Sequence, residues 1–259
     1  GEQRSNGFNG SVTVSPIYRP SERIIWSLRY NFRTQKSKYD NIGNSLDKFN
    51  EEGQNTNLKR YYDGASPDDL WAVPSLGIDP ATGREVFIKL DGTRTFTYSA
   101  DDKVVVGDTD PRFYGNVYTN VFYKGFSLYI MGSFKCGGYL YNVTRASRVE
   151  GTTGRTNVDR RAFDSRWKEV GDIALYRDIT EHSVPQQTDR FVEKENVLTI
   201  TSVNLGYEFP QRICQKMMLR NLRLGVNLSD ILRFSNVKVE RGLDYLYGNG
   251  FEFTLSTTF

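Results

Sequence analysis

The chain has 259 residues, a net charge of +3, 38% hydrophobic residues and 14% aromatic residues. That length holds one large domain or two small ones, and the small, scattered positive charge excludes the basic stripe of a nucleic-acid binder. No run approaches about 18 apolar residues, which excludes a continuous membrane helix, while balanced charge and plentiful strand formers argue against disorder.

Tyr and Phe, at 16 each, supply nearly all the aromatics, which suits a wall that is apolar on one side only. Cys136 and Cys214 lie far apart without metal spacing. They read as isolated thiols on strands, with a disulfide left open. The opening G-E-Q-R-S-N-G carries neither a basic n-region nor an apolar h-region. For an exported protein the expectation is that its start lies elsewhere, through processing or because this is a fragment.

In chain order, Ser11 to Tyr18 reads as a short strand, with Val12 and Val14 alternating against Thr13 and Ser15. Arg19-Pro20-Ser21-Glu22 is a tight turn. Next, Trp26, Leu28, Tyr30 and Phe32 form one strand face, and Ser27, Arg29, Asn31 and Arg33 the other. Arginines at alternate positions suit a water-filled lumen. From Thr34 to about Pro111 no long strand is expected, only a hairpin of Glu85–Lys89 with Thr93–Tyr98 around Asp91-Gly92. A connection this long usually carries function.

Two strands return at Asn116–Lys124 and Phe126–Lys135, joined by the very short Lys124-Gly125 turn. In the first, Val117, Thr119, Val121 and Tyr123 oppose Tyr118, Asn120 and Phe122. In the second, Phe126, Leu128, Ile130 and Phe134 oppose Ser127, Tyr129, Met131 and Ser133. A polar stretch from Gly137 to about Asn196 follows, with Arg145, Arg148, Arg155, Arg160, Arg161 and Arg166. Val197–Phe209 is the next strand, its odd positions apolar or Thr against Ser202, Asn204, Gly206 and Glu208, and Pro210 breaks it. Leu222, Leu224, Val226 and Leu228 then alternate with Asn221, Arg223, Gly225 and Asn227. A third loop, about 229–249, leads to Gly250–Phe259, where Phe251, Phe253, Leu255, Thr257 and Phe259 oppose Glu252, Thr254, Ser256 and Thr258. An alternating strand of about ten residues has the length to cross a membrane as one stave of a β-barrel.

After the opening turn the connections run long, short, long, short, long, so every short one falls on the same side of an up-and-down sheet. That is the asymmetry of an outer-membrane barrel, with short periplasmic turns and long external loops. The fold class is therefore all-β: antiparallel transmembrane β-barrel strands, about seven in number. Because single bacterial chains close with even counts, an odd set fits the C-terminal part of a larger barrel, with external loops at about 34–111, 137–196 and 229–249.

Several stretches resemble the C-terminal barrel region of SusC/RagA-type TonB-dependent transporters of Bacteroidetes outer membranes. They are Leu70-Trp71-Ala72-Val73-Pro74 through Gly83-Arg84-Glu85, and Gly107-Asp108-Thr109-Asp110-Pro111 through Lys124-Gly125-Phe126. Further along come Asn157-Val158-Asp159-Arg160-Arg161-Ala162 with Arg166-Trp167 and Gly171-Asp172, then Arg190-Phe191-Val192-Glu193, and Glu240-Arg241-Gly242-Leu243-Asp244-Tyr245. The resemblance covers nearly the whole chain. It implies a barrel of about 22 strands with a plugged lumen, a SusD-like lipoprotein capping it from outside, and TonB energising it from the periplasm. The plug, the TonB-contacting segment and most of the barrel would then lie outside this chain, in the same polypeptide or another.

Enzyme signatures are missing. His182 is the single histidine, in a polar loop, and no nucleophile-elbow, zincin or phosphate-loop pattern occurs. Asp68-Asp69 and Asp101-Asp102 lack calcium-loop spacing and read as solvated loop charge. No catalytic residue, cofactor or metal is expected. Arg29, Asn31, Arg33, Asn204, Glu208, Asn221, Arg223 and Asn227 are expected to face lumen or plug. Trp71, Arg160, Arg161, Arg166, Trp167 and Tyr245 are candidate loop contacts to substrate or partner. Tyr30, Phe32, Tyr123, Phe126, Tyr207, Phe209 and Phe259 sit near strand ends, where an interfacial aromatic girdle belongs. The resemblance adds a barrel-assembly role for the terminal strand, through Phe251, Phe253, Leu255 and Phe259. The expected function is part of an outer-membrane importer of oligosaccharides or peptides, in contact with lipid, the rest of the barrel, a SusD-like lipoprotein and TonB, and not with nucleic acid. The competing readings are a soluble secreted β-sandwich that binds glycans and a hydrolase using the loop aspartates.

Overall fold

The computed structural model describes residues 1–152, 158–181, 183–238 and 248–258. Arg155, His182, Tyr245 and Phe259 lie outside the described residues. The strands are β1 (Glu2–Arg19), β2 (Ile24–Asp40), β3 (Asp69–Ala72), β4 (Ser75–Ile78), β5 (Glu85–Ile88) and β6 (Arg94–Thr95). They continue with β7 (Val104–Asp108), β8 (Phe113–Tyr123), β9 (Phe126–Tyr141), β10 (Val192–Glu208), β11 (Asn221–Ser235) and β12 (Gly250–Thr258). Three short helices, α1 (Asp47–Glu52), α2 (Arg161–Asp164) and α3 (Gln211–Lys216), punctuate the connections. Among the described residues no helix is long and apolar enough to cross a membrane.

The chain divides into two compact units. One, the wall unit, is Gly7–Gln35, Pro111–Gly137 and Glu195–Phe259; the other, the loop unit, is Gly1–Asn6, Lys36–Asp110 and Gly138–Lys194. Among the described residues one seven-stranded sheet runs β1-β2-β8-β9-β10-β11-β12. Two small sheets, β3-β7 and β4-β5-β6, belong to the loop unit.

The wall registers carry the alternation read from sequence. Arg29, Asn31 and Arg33 stand opposite Tyr118, Asn116 and Tyr114, while Trp26, Leu28 and Tyr30 stand opposite Val121, Thr119 and Val117. On β9, Ser133, Met131 and Tyr129 extend the first row from Asn116, Tyr118 and Asn120. Asn204, Gly206 and Glu208 of β10 meet Asn227, Gly225 and Arg223 of β11, which meet Glu252, Thr254 and Ser256 of β12. Paired residues share a face, so along these registers one face is mainly polar and the other mainly apolar. Trp26 satisfies its indole N–H on the apolar face, donating 3.1 Å to Thr119 Oγ1.

The strands outrun the sequence reading. β1 begins at Glu2 rather than Ser11, β2 continues to Asp40, and β9 continues to Tyr141. Glu2–Asn6 and Lys36–Asp40 are almost wholly polar and Gly137-Gly138 interrupts β9, so these extensions lack the apolar alternation that marks a strand. The register of β10 with β11 carries one irregularity. Ile200 pairs with Leu232 but Ser202 with Ser229, so β11 holds an extra residue there, at Asp230 with φ of 52°. A bulge of this kind shifts register locally. The expected hairpin within the long first connection is present as β5 and β6, with Phe87 opposite Thr95.

Candidate functional site: a two-faced wall and an ion-paired loop core

The apolar face of the wall is lined at its two ends by aromatic rings. At the long-connection end, Tyr30 stacks on Phe134 at 5.2 Å and 5° between planes. Phe113 lies 5.4 Å from Phe134 and 5.6 Å from Phe32, and Phe8 lies 5.8 Å from Phe32. These rings converge over Gly115, which stands between Phe32 and Phe134 in register. A Cβ there would sit 1.9 Å from the Asn31 carbonyl oxygen, so only glycine lets the strands and rings close. At the short-turn end, Phe126 and Tyr207 lie 4.4 Å apart and Tyr207 and Phe209 4.9 Å.

From Phe134 to Phe126 the strand advances about 27 Å at ~3.4 Å per residue. A tilt of about 40° reduces that to about 21 Å, near the ~25 Å height of an outer-membrane apolar band. On the same face, at the short-turn belt and just inside it, Leu224, Leu255 and Leu205 are 46%, 65% and 50% exposed among the described residues.

The polar face holds a depression of about 560 Å3 lined by Asn120, Ser127, Tyr129, Asn204, Arg223, Asn227, Thr254 and Ser256. Its floor is the Gly206–Gly225 pair, over which the Ser127 hydroxyl and Arg223 guanidinium lie. A second hollow of about 580 Å3 includes Asn9, Ser11, Asn31, Arg33 and Asn116. The side chains brace one another: Ser11 donates to Asn31 Oδ1 at 2.7 Å, Arg29 to Thr13 Oγ1 at 3.3 Å, and Asn204 to Ser202 Oγ at 2.9 Å. Of the eight residues expected to face lumen or plug, Asn204, Arg223 and Asn227 line the first hollow, and Asn31 and Arg33 the second. Arg29 stands in the same row as Asn31 and Arg33. Glu208 pairs with Arg23 at 3.1 Å. Asn221 is exposed at the first position of β11, opposite Thr258.

The loop unit is built differently. Its buried apolar residues include Leu70, Val73, Ile78, Phe87, Val149 and Phe191, and buried ion pairs lie among them. Arg190 forks onto Glu85 at 2.7 and 2.8 Å and onto Glu150 at 2.7 and 2.9 Å. Arg177 donates to Glu150 at 2.7 Å. Glu85, Glu150 and Arg177 are 4%, 2% and 6% exposed. Burial pulls the Arg190 pKa down, but Glu85 and Glu150 outweigh it and hold the guanidinium above its ordinary value. The Arg190 guanidinium also lies 4.8 Å over the Phe191 ring. Glu85 reaches this core because β5 turns Glu85 and Phe87 inward and Val86 and Ile88 outward.

Tyr98, which lines a pocket of about 300 Å3 with Arg84, Phe96 and Ser183, has its phenol pushed up to about 12, chiefly by burial. Among the described residues no group of three or more His, Cys, Asp or Glu side chains is placed to hold a metal ion. Cys136 and Cys214 are free thiols, the first exposed and the second buried.

No family model matches the chain. In sequence it is 23% identical over 259 residues to TonB-dependent receptor P3 of Formosa agariphila, a match covering 91% of this chain and 25% of that protein. In structure it is similar to the RagAB peptide transporter, with a TM-score of 0.72 at 18% identity over 91% of this chain and 26% of that one. The RagAB peptide importer in its "open-open" state gives a TM-score of 0.70 at 18% identity, over 90% of this chain and 25% of that one. The chain therefore has the fold of part of the RagAB transporter chain and is similar in sequence to part of a TonB-dependent receptor. It spans about a quarter of the length of the relatives it matches. These relatives are named as a receptor, a transporter and an importer, none as an enzyme.

The candidate loop contacts part company. Arg160 is exposed beside Asp164 at 2.9 Å, and Arg161 is held by Asp159 at 2.7 Å. Arg166 is buried, and its guanidinium donates to the carbonyls of Ala162, Arg177, Val149 and Glu150 at 2.8 to 3.0 Å. That side chain ties the loop together from inside, with four of its five donors spent on carbonyls. Burial draws its pKa down, yet four carbonyls hold the charge. Trp167 lies over Gly83 and donates to the Pro80 carbonyl at 3.0 Å. Trp71 is half-buried, 5.6 Å from Tyr62, with its indole N–H buried away from any protein acceptor. Sequence reading missed the Glu85–Arg190–Glu150–Arg177 core. Two of its members, Glu85 and Arg190, stand in the quoted family stretches, but their partnership across 105 residues leaves no local trace.

Proposed function

We propose that this chain forms wall and loops of a TonB-dependent importer of oligosaccharides or peptides that works with a SusD-like surface lipoprotein. The observation that supports this best is the division of the wall: Leu205, Leu224, Phe253 and Leu255 stand exposed on one face, and a hollowed polar ladder occupies the other. The apolar face serves lipid, because every backbone polar group of a sheet spanning the bilayer must be met by a neighbouring strand. Arg29, Asn31, Arg33, Asn204, Arg223 and Asn227 serve the lumen or plug, with Glu208 and Asn221 at the turn end. Arg160, Arg161, Trp71 and Trp167 are the loop positions offered to substrate or lipoprotein, while Arg166 works inside the fold. Phe251, Phe253 and Leu255 serve recognition of the last strand during barrel assembly. The energy for import comes through TonB, not from hydrolysis in this chain. A secreted sandwich would cover its apolar face with a second sheet, and the exposure of Leu224 and Phe253 speaks against that.

The test is solubility with uptake. The protein is expected in the membrane fraction and to need detergent for a monodisperse preparation. Arg223→Ala is expected to lower uptake of labelled oligosaccharide or oligopeptide by whole cells. A monodisperse species in plain buffer would overturn the proposal.

A further inference from the structure

The turn between β10 and β11 carries a feature that a simple reversal does not need. From Phe209 to Leu224 the segment holds four basic residues, Arg212, Lys216, Arg220 and Arg223, and no acidic one. Its helix α3 is fixed by Cys214, which is 1% exposed with its thiol 3.7 Å from the Phe209 carbonyl. Ile213, Met217 and Met218 remain 43%, 56% and 89% exposed.

The helix ends in a Schellman closure. Leu219 N–H donates to Cys214 O at 2.9 Å and Met218 N–H to Gln215 O at 3.1 Å, with Met218 left-handed at φ of 55°. That position favours glycine, so the chain keeps a long apolar side chain, fully out in solvent, where the backbone would prefer none. At ~100° per residue, Ile213 and Met217 lie together. Cys214 anchors one flank of that ridge, and Lys216 and Arg212 occupy the other.

We propose that this turn is an interfacial membrane anchor. Ile213, Met217 and Met218 dip into the acyl boundary of the outer membrane's periplasmic leaflet, and Arg212, Lys216 and Arg220 meet lipid phosphates. The proposal rests on the barrel reading. An amphipathic segment lies in the interface when apolar residues face inward and basic ones reach the headgroups. Continuity supports a lipid occupant, because the ridge follows directly on Phe209, whose ring packs 4.9 Å from Tyr207, itself 4.4 Å from Phe126 in the short-turn aromatic belt. The wholly basic charge of the segment fits anionic headgroups.

The test places a nitroxide at Met217→Cys, Gln215→Cys and, as the wall control, Leu224→Cys. The background is Cys136→Ser in the intact barrel, reconstituted in vesicles of phosphatidylethanolamine with phosphatidylglycerol. Relaxation by oxygen, which partitions into lipid, is compared with relaxation by a water-soluble nickel chelate. Met217 is expected to resemble Leu224, with an oxygen-to-nickel ratio several-fold above that of Gln215. A label at Ile213→Cys repeats the reading should Met217→Cys fail to fold.

An aqueous signal at 217 or 213 beside a lipid signal at 224 overturns the anchor and leaves the wall intact. An aqueous signal at 224 overturns the wall itself. Met218→Gly separates the anchor from a structural role. It is expected to raise thermal stability in detergent, where the left-handed backbone alone matters, while shifting the Met217→Cys label toward the aqueous signal in vesicles. A label that stays put on that change also overturns the proposal.

Discussion

Replacing Val226 by arginine is the sharpest probe of the wall. Val226 stands between Leu205 and Phe253 on the apolar face, two residues beyond Leu224, which stands opposite Tyr207 of the short-turn belt. Two residues advance about 7 Å along a strand. At a tilt of about 40° that is about 5 Å inside the belt, between the interface and the middle of a ~25 Å apolar band. A cationic side chain costs about 2–4 kcal/mol at the midplane and about 0–1 near the interface. Val226→Arg is therefore expected to cost about 2 kcal/mol, about a 30-fold change in the folding equilibrium, and Leu224→Arg, at the belt, about 1 kcal/mol. Asn227→Arg, one residue on and on the opposite face, is expected to cost under about 0.5 kcal/mol. Guanidinium titration of the barrel in phosphatidylcholine vesicles measures all three. Equal costs at 226 and 227 would refute a wall with lipid on one side. A larger cost at 224 than at 226 would refute the depth assigned to the belts.

Three further outcomes concern the loop unit. Arg190→Ala strands the buried carboxylates of Glu85 and Glu150 and is expected to cost about 3–5 kcal/mol, read as lost hydrogen-exchange protection in β5 and at Glu150. Arg166→Lys keeps the charge but cannot reach four carbonyls, so faster limited proteolysis between Val149 and Arg177 is expected with the wall strands unaffected. Asp189 accepts from Ser75 N–H at 2.9 Å, and burial, its largest influence, raises its pKa above 3.8. A raised folded pKa gives stability that is complete below the unfolded value and is lost as pH climbs through the folded value. Asp189→Asn keeps the acceptor and removes that loss. The melting temperature of the variant relative to the parent is therefore expected to rise with pH across the acid range; a flat difference would show that Asp189 titrates as it does when unfolded.

What the sequence made legible was whatever repeats with period two. Trp26 to Arg33, Val117 to Phe134 and Leu222 to Leu228 each announced two faces, and the registers confirm them. The outer ends of β1, β2 and β9 were silent because Glu2–Asn6 and Lys36–Asp40 are almost wholly polar and Gly137-Gly138 reads as the end of a strand. The bulge opposite Ile200 was hidden because Asp230 sits in an ordinary polar stretch. Loop placement was least legible. Arg160 and Arg166 read alike in sequence, yet one is in solvent and the other is enclosed by carbonyls, a difference set by Val149 and Arg177 folding around it. The short α3 was not read, because Pro210 registered only as the end of the strand before it.

The loop unit's ion-paired core of Arg190, Glu85, Glu150 and Arg177 lies among buried Phe87, Val149 and Phe191, and the mixture has a practical corollary. Greasy contacts tolerate sliding, but each guanidinium meets its matching carboxylate oxygens in one arrangement only, so a segment that parts recloses in a single register.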